Sequence, residues 1–226
     1  MELAEIYADC RDRLISVGPS LSTEQRAAPL LATPPWVVVD AYRHLAGVCA
    51  DVLDGRMEGA GSSEWTATQL ADRQDLSLEE VSAEWTSRAE EIEAAIATAG
   101  VKMSFMAFDA WTHAQDVRAA AGLQCIRDEQ QVALLAAAAL GVFSRVYPSK
   151  GGPTLRVVVD GGDGVILGEG DPVVALRTTA YELMRIVFGR RSRAQVEQAD
   201  WEGEGIAEAI DALHLFDFPP IDIVEP

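Results

Sequence analysis

The chain has 226 residues, of which 49% are hydrophobic and 24% charged, as in an ordinary globular protein with one large or two small domains. Its net charge is −18, from 36 acidic and 18 basic residues, and such a surface repels nucleic acid. No apolar run is long enough to predict a membrane span, and the acidic N-terminus is not typical of a signal peptide. We therefore expect a cytoplasmic protein that binds neither nucleic acid nor membrane.

The cysteines favour the same compartment. Cys10, Cys49 and Cys125 are widely separated along the chain, which argues against a disulfide framework and against a cysteine-based metal site. Cys49 lies on a predicted helix, where its position is typical of a small packed residue rather than a nucleophile.

The first 147 residues predict a helical bundle. Apolar residues recur with helical spacing over residues 2–16, 36–54, 77–98, 105–122 and 127–146, and residues 64–73 predict a shorter helix. Capping boxes begin at Ser22 and Ser77. No stretch in this part predicts a strand, and a bundle is the simplest way to pack several amphipathic helices.

The pattern changes after the segment 149–153, which contains two glycines and a proline. Residues 155–160, 165–168 and 172–177 predict three strands, a helix begins after Thr179, and residues 206–213 predict a last helix. We therefore predict an α+β protein with two domains: a helical bundle over residues 1–148 and a small α+β domain over residues 149–226.

The helix predicted over residues 105–122 carries polar groups on its apolar face. Because a carboxylate on a buried face needs a partner, Asp109 must pair with a cation of the protein or share a metal ion with His113, which lies one turn away. The helical period places these residues on one stripe: Met106, Asp109, Ala110, His113, Val117 and Ala120.

A second inward histidine suggests a metal site. The chain has three histidines, and His44 falls on the apolar stripe of the helix predicted over residues 36–54, whereas His214 lies near the last helix and is typical of a surface or packing residue. Two histidines and one carboxylate from facing helices form a ligand set that suits zinc or another divalent transition metal with open coordination positions. Asp40 or Asp116 would then be the acceptor that fixes a histidine tautomer.

The pattern has a simpler explanation as well. An aspartate and a histidine four residues apart on a helix form a weak motif, and a buried Asp–His hydrogen bond or an Asp109–arginine pair would explain it equally well.

Several segments resemble one family. The segment Trp36–Gly47, WVVVDAYRHLAG, resembles the GWTVRDVVAHLAG segment of the mycothiol-dependent maleylpyruvate isomerase family, which belongs to the DinB-like metal-binding bundles. The segment Asp109–Arg118 resembles the family's ExxxHxxDxR segment, and Glu64–Arg73 and Glu84-Trp85 are also similar. The segment Tyr181–Val196 resembles the family's C-terminal domain, which is akin to sterol carrier protein type 2. The similarity extends over nearly the whole chain.

This resemblance implies a DinB-like four-helix bundle that holds a divalent metal, usually zinc, through His44, Asp109 and His113, with mycothiol as cosubstrate. The family usually has glutamate at the position of Asp109, and the shorter aspartate raises the question of whether the metal is held as tightly. The segment before Trp36 has Pro34-Pro35 where the family has cysteine and glycine.

The chemistry of a metal-bound thiol then predicts the reaction. A thiol that coordinates a divalent cation loses its proton near neutral pH, and the thiolate attacks an electrophilic carbon. Isomerisation of a double bond or S-transfer to a small substrate would follow. The alternatives are a non-catalytic binding or sensor module with an empty or weak metal site, and a hydrolase in which metal-bound water is the nucleophile.

A basic cluster stands out in this acidic chain. Arg190, Arg191 and Arg193 predict either an anion-binding site for the substrate or thiol, or a solvated turn whose charges complement a helix end. The partners we expect are a small-molecule substrate and a thiol. A homodimer is one assembly that the sequence allows.

Overall fold

The computed structural model describes all residues from Met1 to Pro226 and divides into two compact units. The first comprises residues 1–125 with Pro226, and the second comprises residues 126–225. The division falls before the predicted boundary at residue 148, because the long helix Glu129–Val146 packs against the helix Ala180–Val187 of the second unit. The α+β fold class is confirmed, with helices in the first unit and the strands in the second.

The first unit is helical throughout. A four-helix bundle forms from α1, α3, the consecutive pair α5–α6, and α7, with the short α2 and α4 beside it. The helices are α1 (Leu3–Val17), α2 (Thr23–Arg26), α3 (Val38–Asp54), α4 (Ser63–Ala71), α5 (Leu78–Ser87), α6 (Ala89–Ala99) and α7 (Ser104–Ala120). The capping boxes at Ser22 and Ser77 are present as predicted, each with the serine side chain accepting from the third helical amide.

The predicted helix over residues 77–98 is interrupted at Arg88. The backbone there has φ −105° and ψ 6°, which lies outside the helical region and separates α5 from α6. At this bend the Arg88 guanidinium reaches Asp54 at the end of α3 and Glu91 on α6, each at 3.1 Å. The apolar stripe of Val81, Trp85, Ile92 and Ile96 continues across the bend, and all four side chains are buried. Periodicity alone therefore does not reveal the interruption.

Helix α7 packs against α1 and α3. The sequence predicts a single buried stripe, but polar residues on other faces, among them Ser104, Thr112, Gln115 and Asp116, are buried as well. Gly122 follows the helix with φ 70°, a left-handed conformation that favours glycine over any residue with a Cβ. Helix α7 therefore carries buried polar residues on more than one of its faces.

The second unit combines helices with one sheet. Its elements are α8 (Glu129–Val146), β1 (Leu155–Val159), β2 (Val165–Leu167), β3 (Val174–Thr178), α9 (Ala180–Val187), α10 (Arg193–Glu197), β4 (Asp200–Gly203) and α11 (Ile206–Leu213). The strand order is β2-β1-β3-β4, with β1 and β3 parallel and the two outer pairs antiparallel. The three predicted strands are present, whereas the sequence did not predict α10 and did not clearly indicate β4.

One helix has the length and composition of a membrane span. The stretch Glu129–Lys150 is long and apolar enough to cross a membrane, contrary to the expectation that no apolar run reaches that length. A single such helix is weak evidence, since the core helices of many proteins have the same composition. Here α8 packs one face against α9 and β2, and its buried residues include Val132, Leu135 and Phe143.

A buried ion cluster joins the C-terminal segment to α9. The Glu225 side chain is 1% exposed and pairs with Arg185 on α9 and with Arg191, whose guanidinium lies 2.9 Å away. The Tyr181 hydroxyl donates to the same carboxylate at 2.9 Å. Gln195 also holds the segment, exchanging side-chain hydrogen bonds with the backbone of Ile223 at 2.9 and 3.0 Å.

We expect the stabilisation from Glu225 to disappear in acid. Burial alone raises the pKa of Glu225, but Arg185, Arg191 and the Tyr181 hydroxyl outweigh burial and lower the pKa below its usual value. Because the folded-state pKa is lowered, this stabilisation is present above the unfolded-state pKa and is lost as the pH falls through the folded-state pKa. The difference in free energy of unfolding between the native chain and Glu225→Gln should therefore be full at about pH 7 and shrink below about pH 4. Urea titrations across this range measure it, and a pH-independent difference would contradict the assignment.

Candidate metal centre

Three side chains predicted as metal ligands converge in the first unit. His44 on α3 faces Asp109 on α7, with His44 Nε2 3.2 Å from Asp109 Oδ2. His113, one turn after Asp109, places Nε2 3.5 Å from Asp109 Oδ1. One potential ligand atom from each residue lies within 4.8 Å of the other two. The helical pitch fixes the Asp109–His113 separation, and the packing of α3 against α7 brings in His44.

The site is buried on the histidine side and open at the carboxylate. The side chains of His44 and His113 are 9% and 4% exposed, whereas that of Asp109 is 28% exposed. The sequence predicts all three on buried stripes, so the partial exposure of Asp109 is a departure. A small molecule could therefore approach the cluster from the side of Asp109, while the two imidazoles stay enclosed.

Trp36 covers the two imidazoles. Its ring centroid lies 5.1 Å from that of His44 and 5.6 Å from that of His113, and the ring is nearly parallel to the imidazole of His113, at 22°. The segment before α3 presents this ring, because Leu30 donates to the Trp36 carbonyl at 2.9 Å and Val38 donates to the Ala28 carbonyl at 3.0 Å. An indole at this distance restricts the access of water to both rings.

Each imidazole has an oxygen beside its Nδ1 atom. Asp116 Oδ2 lies 3.4 Å from His113 Nδ1, so one of the two aspartates predicted as acceptors lies beside a histidine nitrogen. The other candidate, Asp40, is not near a histidine nitrogen. Its carboxylate accepts from the Val37 backbone amide at 3.0 Å and pairs with Arg43, because Asp40 occupies the capping position at the start of α3.

The partner of His44 is a residue that the sequence analysis missed. Gln69 on α4 places Oε1 2.8 Å from His44 Nδ1. Gln69 is the one buried residue of α4, and a glutamine within a short polar helix carries no motif that could have identified it. The position of Trp36 over the imidazoles is likewise not visible from its spacing in the sequence.

The remaining candidates lie away from this cluster. His214 follows α11 in the second unit, where its Nδ1 lies 2.9 Å from the Ile210 carbonyl oxygen and its ring packs against Phe218. In the same unit Arg191 pairs with Glu182 and Glu225, and Arg193 pairs with Glu197 and Asp211. Arg190, which is 5% exposed, donates to the Phe188 carbonyl at 2.5 Å. The arginines predicted to bind an anion are thus engaged with protein groups, and their role in substrate binding stays a prediction.

The thiols of this chain are unsuited to act as nucleophiles. All three cysteines are free and buried. Burial raises the pKa of Cys10 to about 12 and that of Cys49 to about 11. We expect Ellman's reagent at about pH 8 to label Cys10 and Cys49 only slowly in the native protein and all three cysteines rapidly after denaturation, because the thiolate is the reactive form. Rapid labelling of either thiol before unfolding would show that it is accessible and reactive.

The fold and the cluster define a helical-bundle protein with a candidate metal centre of two histidines and one aspartate. No family model and no curated protein matches the sequence. Among solved structures, the chain is similar to the mycothiol-dependent maleylpyruvate isomerase and to a point mutant of that enzyme, at 12% and 13% identity, over 83% of this chain and 87% of that one. The TM-score is 0.49 in both comparisons.

Proposed function

We propose that this protein is a divalent-metal-dependent enzyme in which a low-molecular-weight thiol, mycothiol, attacks a small electrophilic substrate, with isomerisation or S-transfer as the outcome. The ion, which we propose to be zinc, would be held by His44, Asp109 and His113. The convergence of these three side chains is the observation that carries the proposal, and the sequence resemblance described above suggests the identity of the thiol.

The separations of the two histidines from Asp109 support such an ion. Ligands at about 2.1 Å from a tetrahedral zinc ion lie about 3.4 Å from one another. His44 Nε2 lies 3.2 Å from Asp109 Oδ2 and His113 Nε2 lies 3.5 Å from Asp109 Oδ1, so each imidazole is close to this separation from one oxygen of the carboxylate. These distances support aspartate as the carboxylate ligand at position 109, where the resemblance leads one to expect glutamate. Imidazole and carboxylate groups together are a donor set that suits zinc and other divalent transition metals.

The protein groups around the site have separate tasks in this proposal. His44 and His113 would direct Nε2 toward the ion, with Gln69 and Asp116 beside their other nitrogens. Trp36 would limit water on the histidine side, and the exposed edge of Asp109 would leave room for the thiol and the substrate. A divalent ion, when bound, lowers the pKa of a coordinated thiol so that the thiolate forms near neutral pH. The buried cysteines of the chain are not needed for this chemistry.

Two measurements test the proposal. Protein purified without chelators should contain close to one divalent metal ion per chain by elemental analysis. Titration of the cobalt-substituted protein with mycothiol should then produce the thiolate-to-cobalt charge-transfer absorption. Protein that takes up no metal would favour the non-catalytic module. Protein that binds metal, shows no thiolate band and hydrolyses an ester without any thiol would favour the hydrolase.

A further inference from the structure

A chain of polar contacts leads from His44 away from the metal centre. Gln69 Oε1 lies 2.8 Å from His44 Nδ1, and Gln69 Nε2 donates to Asp51 Oδ2, also at 2.8 Å. Asp51 Oδ1 in turn accepts from Arg56 Nε at 2.8 Å. His44 is 7% exposed, Gln69 2% and Asp51 9%, so the chain runs through the protein interior. It reaches solvent at Arg56, whose side chain is 55% exposed.

This chain fixes which atom of each group carries a hydrogen. The ionised Asp51, paired with Arg56, can only accept hydrogen bonds, so the Gln69 amide must turn its NH2 group toward Asp51. Gln69 then presents its oxygen to His44, and an oxygen can only accept. His44 Nδ1 must therefore carry the proton that it donates to Gln69, and His44 Nε2 is the nitrogen that faces Asp109. That tautomer is the one in which Nε2 can bind a metal ion.

Helix α4 is placed by a close approach that requires glycine. A Cβ atom at Gly47 on α3 would lie 2.6 Å from Gln69 Cβ and 2.8 Å from Gln69 Cγ, closer than such atoms approach in proteins. Arg73 also secures this helix, since its Nη1 donates to the Gln69 carbonyl at 3.3 Å and its other nitrogens pair with Glu84. Gly47 lies three residues after His44 on α3. Because it has no side chain, Gln69 can lie close to α3 beside the histidine.

The one buried residue of α4 is a glutamine, Gln69, which is an unusual residue to bury unless its hydrogen bonds have a role. A short helix gains most from packing if it buries an apolar side chain, and burying an amide costs stability unless all its hydrogen bonds are made. Here the amide of Gln69 bonds to a ligand candidate on one side and to a charged carboxylate on the other. Partners of this kind raise the metal affinity of a site because they hold the ligand ring in one orientation and one tautomer.

We propose that Gln69, oriented by Asp51, is a positioning residue of the metal centre that holds His44 in the Nδ1-protonated tautomer. The expected effect of Gln69 on metal affinity rests on the proposed metal site. The proton on His44 Nδ1 can be measured on the metal-free protein, so the two proposals can fail separately.

The experiment compares four proteins by nitrogen-15 NMR of the histidine side chains and by cobalt affinity in competition with a chelator. In the metal-free native protein at about pH 8, His44 should carry its proton on Nδ1. Gln69→Leu should give a mixture of tautomers and weaken cobalt binding about 10- to 100-fold. Gln69→Glu combined with Asp51→Asn reverses the donor and acceptor between positions 69 and 51 while keeping an acceptor for His44, and it should restore both properties. Gln74→Leu changes an exposed glutamine near the same helix and should change neither.

Three results would overturn the proposal. The first is a native protein in which Nδ1 of His44 is unprotonated. The second is a folded Gln69→Leu variant with native tautomer and native cobalt affinity. The third is a folded double variant in which His44 lacks the proton on Nδ1. This third result decides the question if Gln69→Leu does not fold. Protein that binds no cobalt but shows the expected tautomers would reject the metal centre and leave the role of Gln69 in fixing the tautomer intact.

Discussion

Replacing His113 with alanine is expected to reduce the metal content of the purified protein from close to one ion per chain to less than about a tenth. His113 is 3% exposed and supplies one of three converging ligand atoms, so its loss leaves a two-ligand site with much lower affinity. Elemental analysis of protein purified without chelators measures the change. Thiol-dependent activity, once a substrate is known, should fall in the same proportion.

Two further variants control this result. His214→Ala removes a histidine of the second unit that contacts Phe218, and it should retain the full metal content. Asp109→Asn keeps the size of the side chain at a position that is 28% exposed, so it tests the site even if His113→Ala folds poorly. Both site variants should lose the ion while His214→Ala keeps it. Full metal retention in His113→Ala would reject the proposed centre.

Glu225→Gln is expected to lower the free energy of unfolding by about 3 kcal/mol at neutral pH, because removing one partner of a buried ion pair leaves the other charges uncompensated. The variant removes the Glu225 carboxylate from the guanidinium groups of Arg185 and Arg191, which are 1% and 9% exposed. Arg191 would still have Glu182 at 2.8 Å. Urea unfolding followed by far-ultraviolet circular dichroism measures the difference.

Glu204→Gln provides the matched control. This glutamate is exposed at the end of β4, and its removal should change the unfolding free energy by less than about 0.5 kcal/mol. A loss of similar size in both variants would mean that the Glu225 cluster contributes nothing beyond the general charge of the chain. The pH dependence described above separates the ion pair from a packing effect, since only the ion pair weakens on acidification.

Periodicity predicted the helices well because it depends only on which face of a helix is buried. The last helix was predicted over residues 206–213, where α11 lies, and the capping serines marked the starts of α2 and α5. The separation of Asp109 and His113 was equally predictable, since the helical pitch sets it. These features are local, so the residues that determine them are adjacent in the sequence.

Features that depend on distant contacts could not be predicted in the same way. The sequence pattern of α8 does not indicate which unit the helix belongs to. Its packing against α9 places it in the second unit. The contact between His44 and Asp109 could be predicted only by assuming that the buried faces of α3 and α7 pack against each other. Gln69 and Asp51 are eighteen residues apart and joined by a hydrogen bond that no spacing rule describes. The position of Trp36 depends on the fold of the loop before α3.

Because the three ligand atoms come from two helices, a metal ion bound at this site should raise the thermal stability of the protein. Asp109 and His113 belong to one helix and His44 to another, so a bound cation would tie α7 to α3. Any ion that prefers the native chain raises the midpoint of thermal denaturation according to its concentration and dissociation constant. Ranking manganese, cobalt, nickel and zinc by the temperature increase each gives would therefore reveal the selectivity of this cluster without knowledge of any substrate.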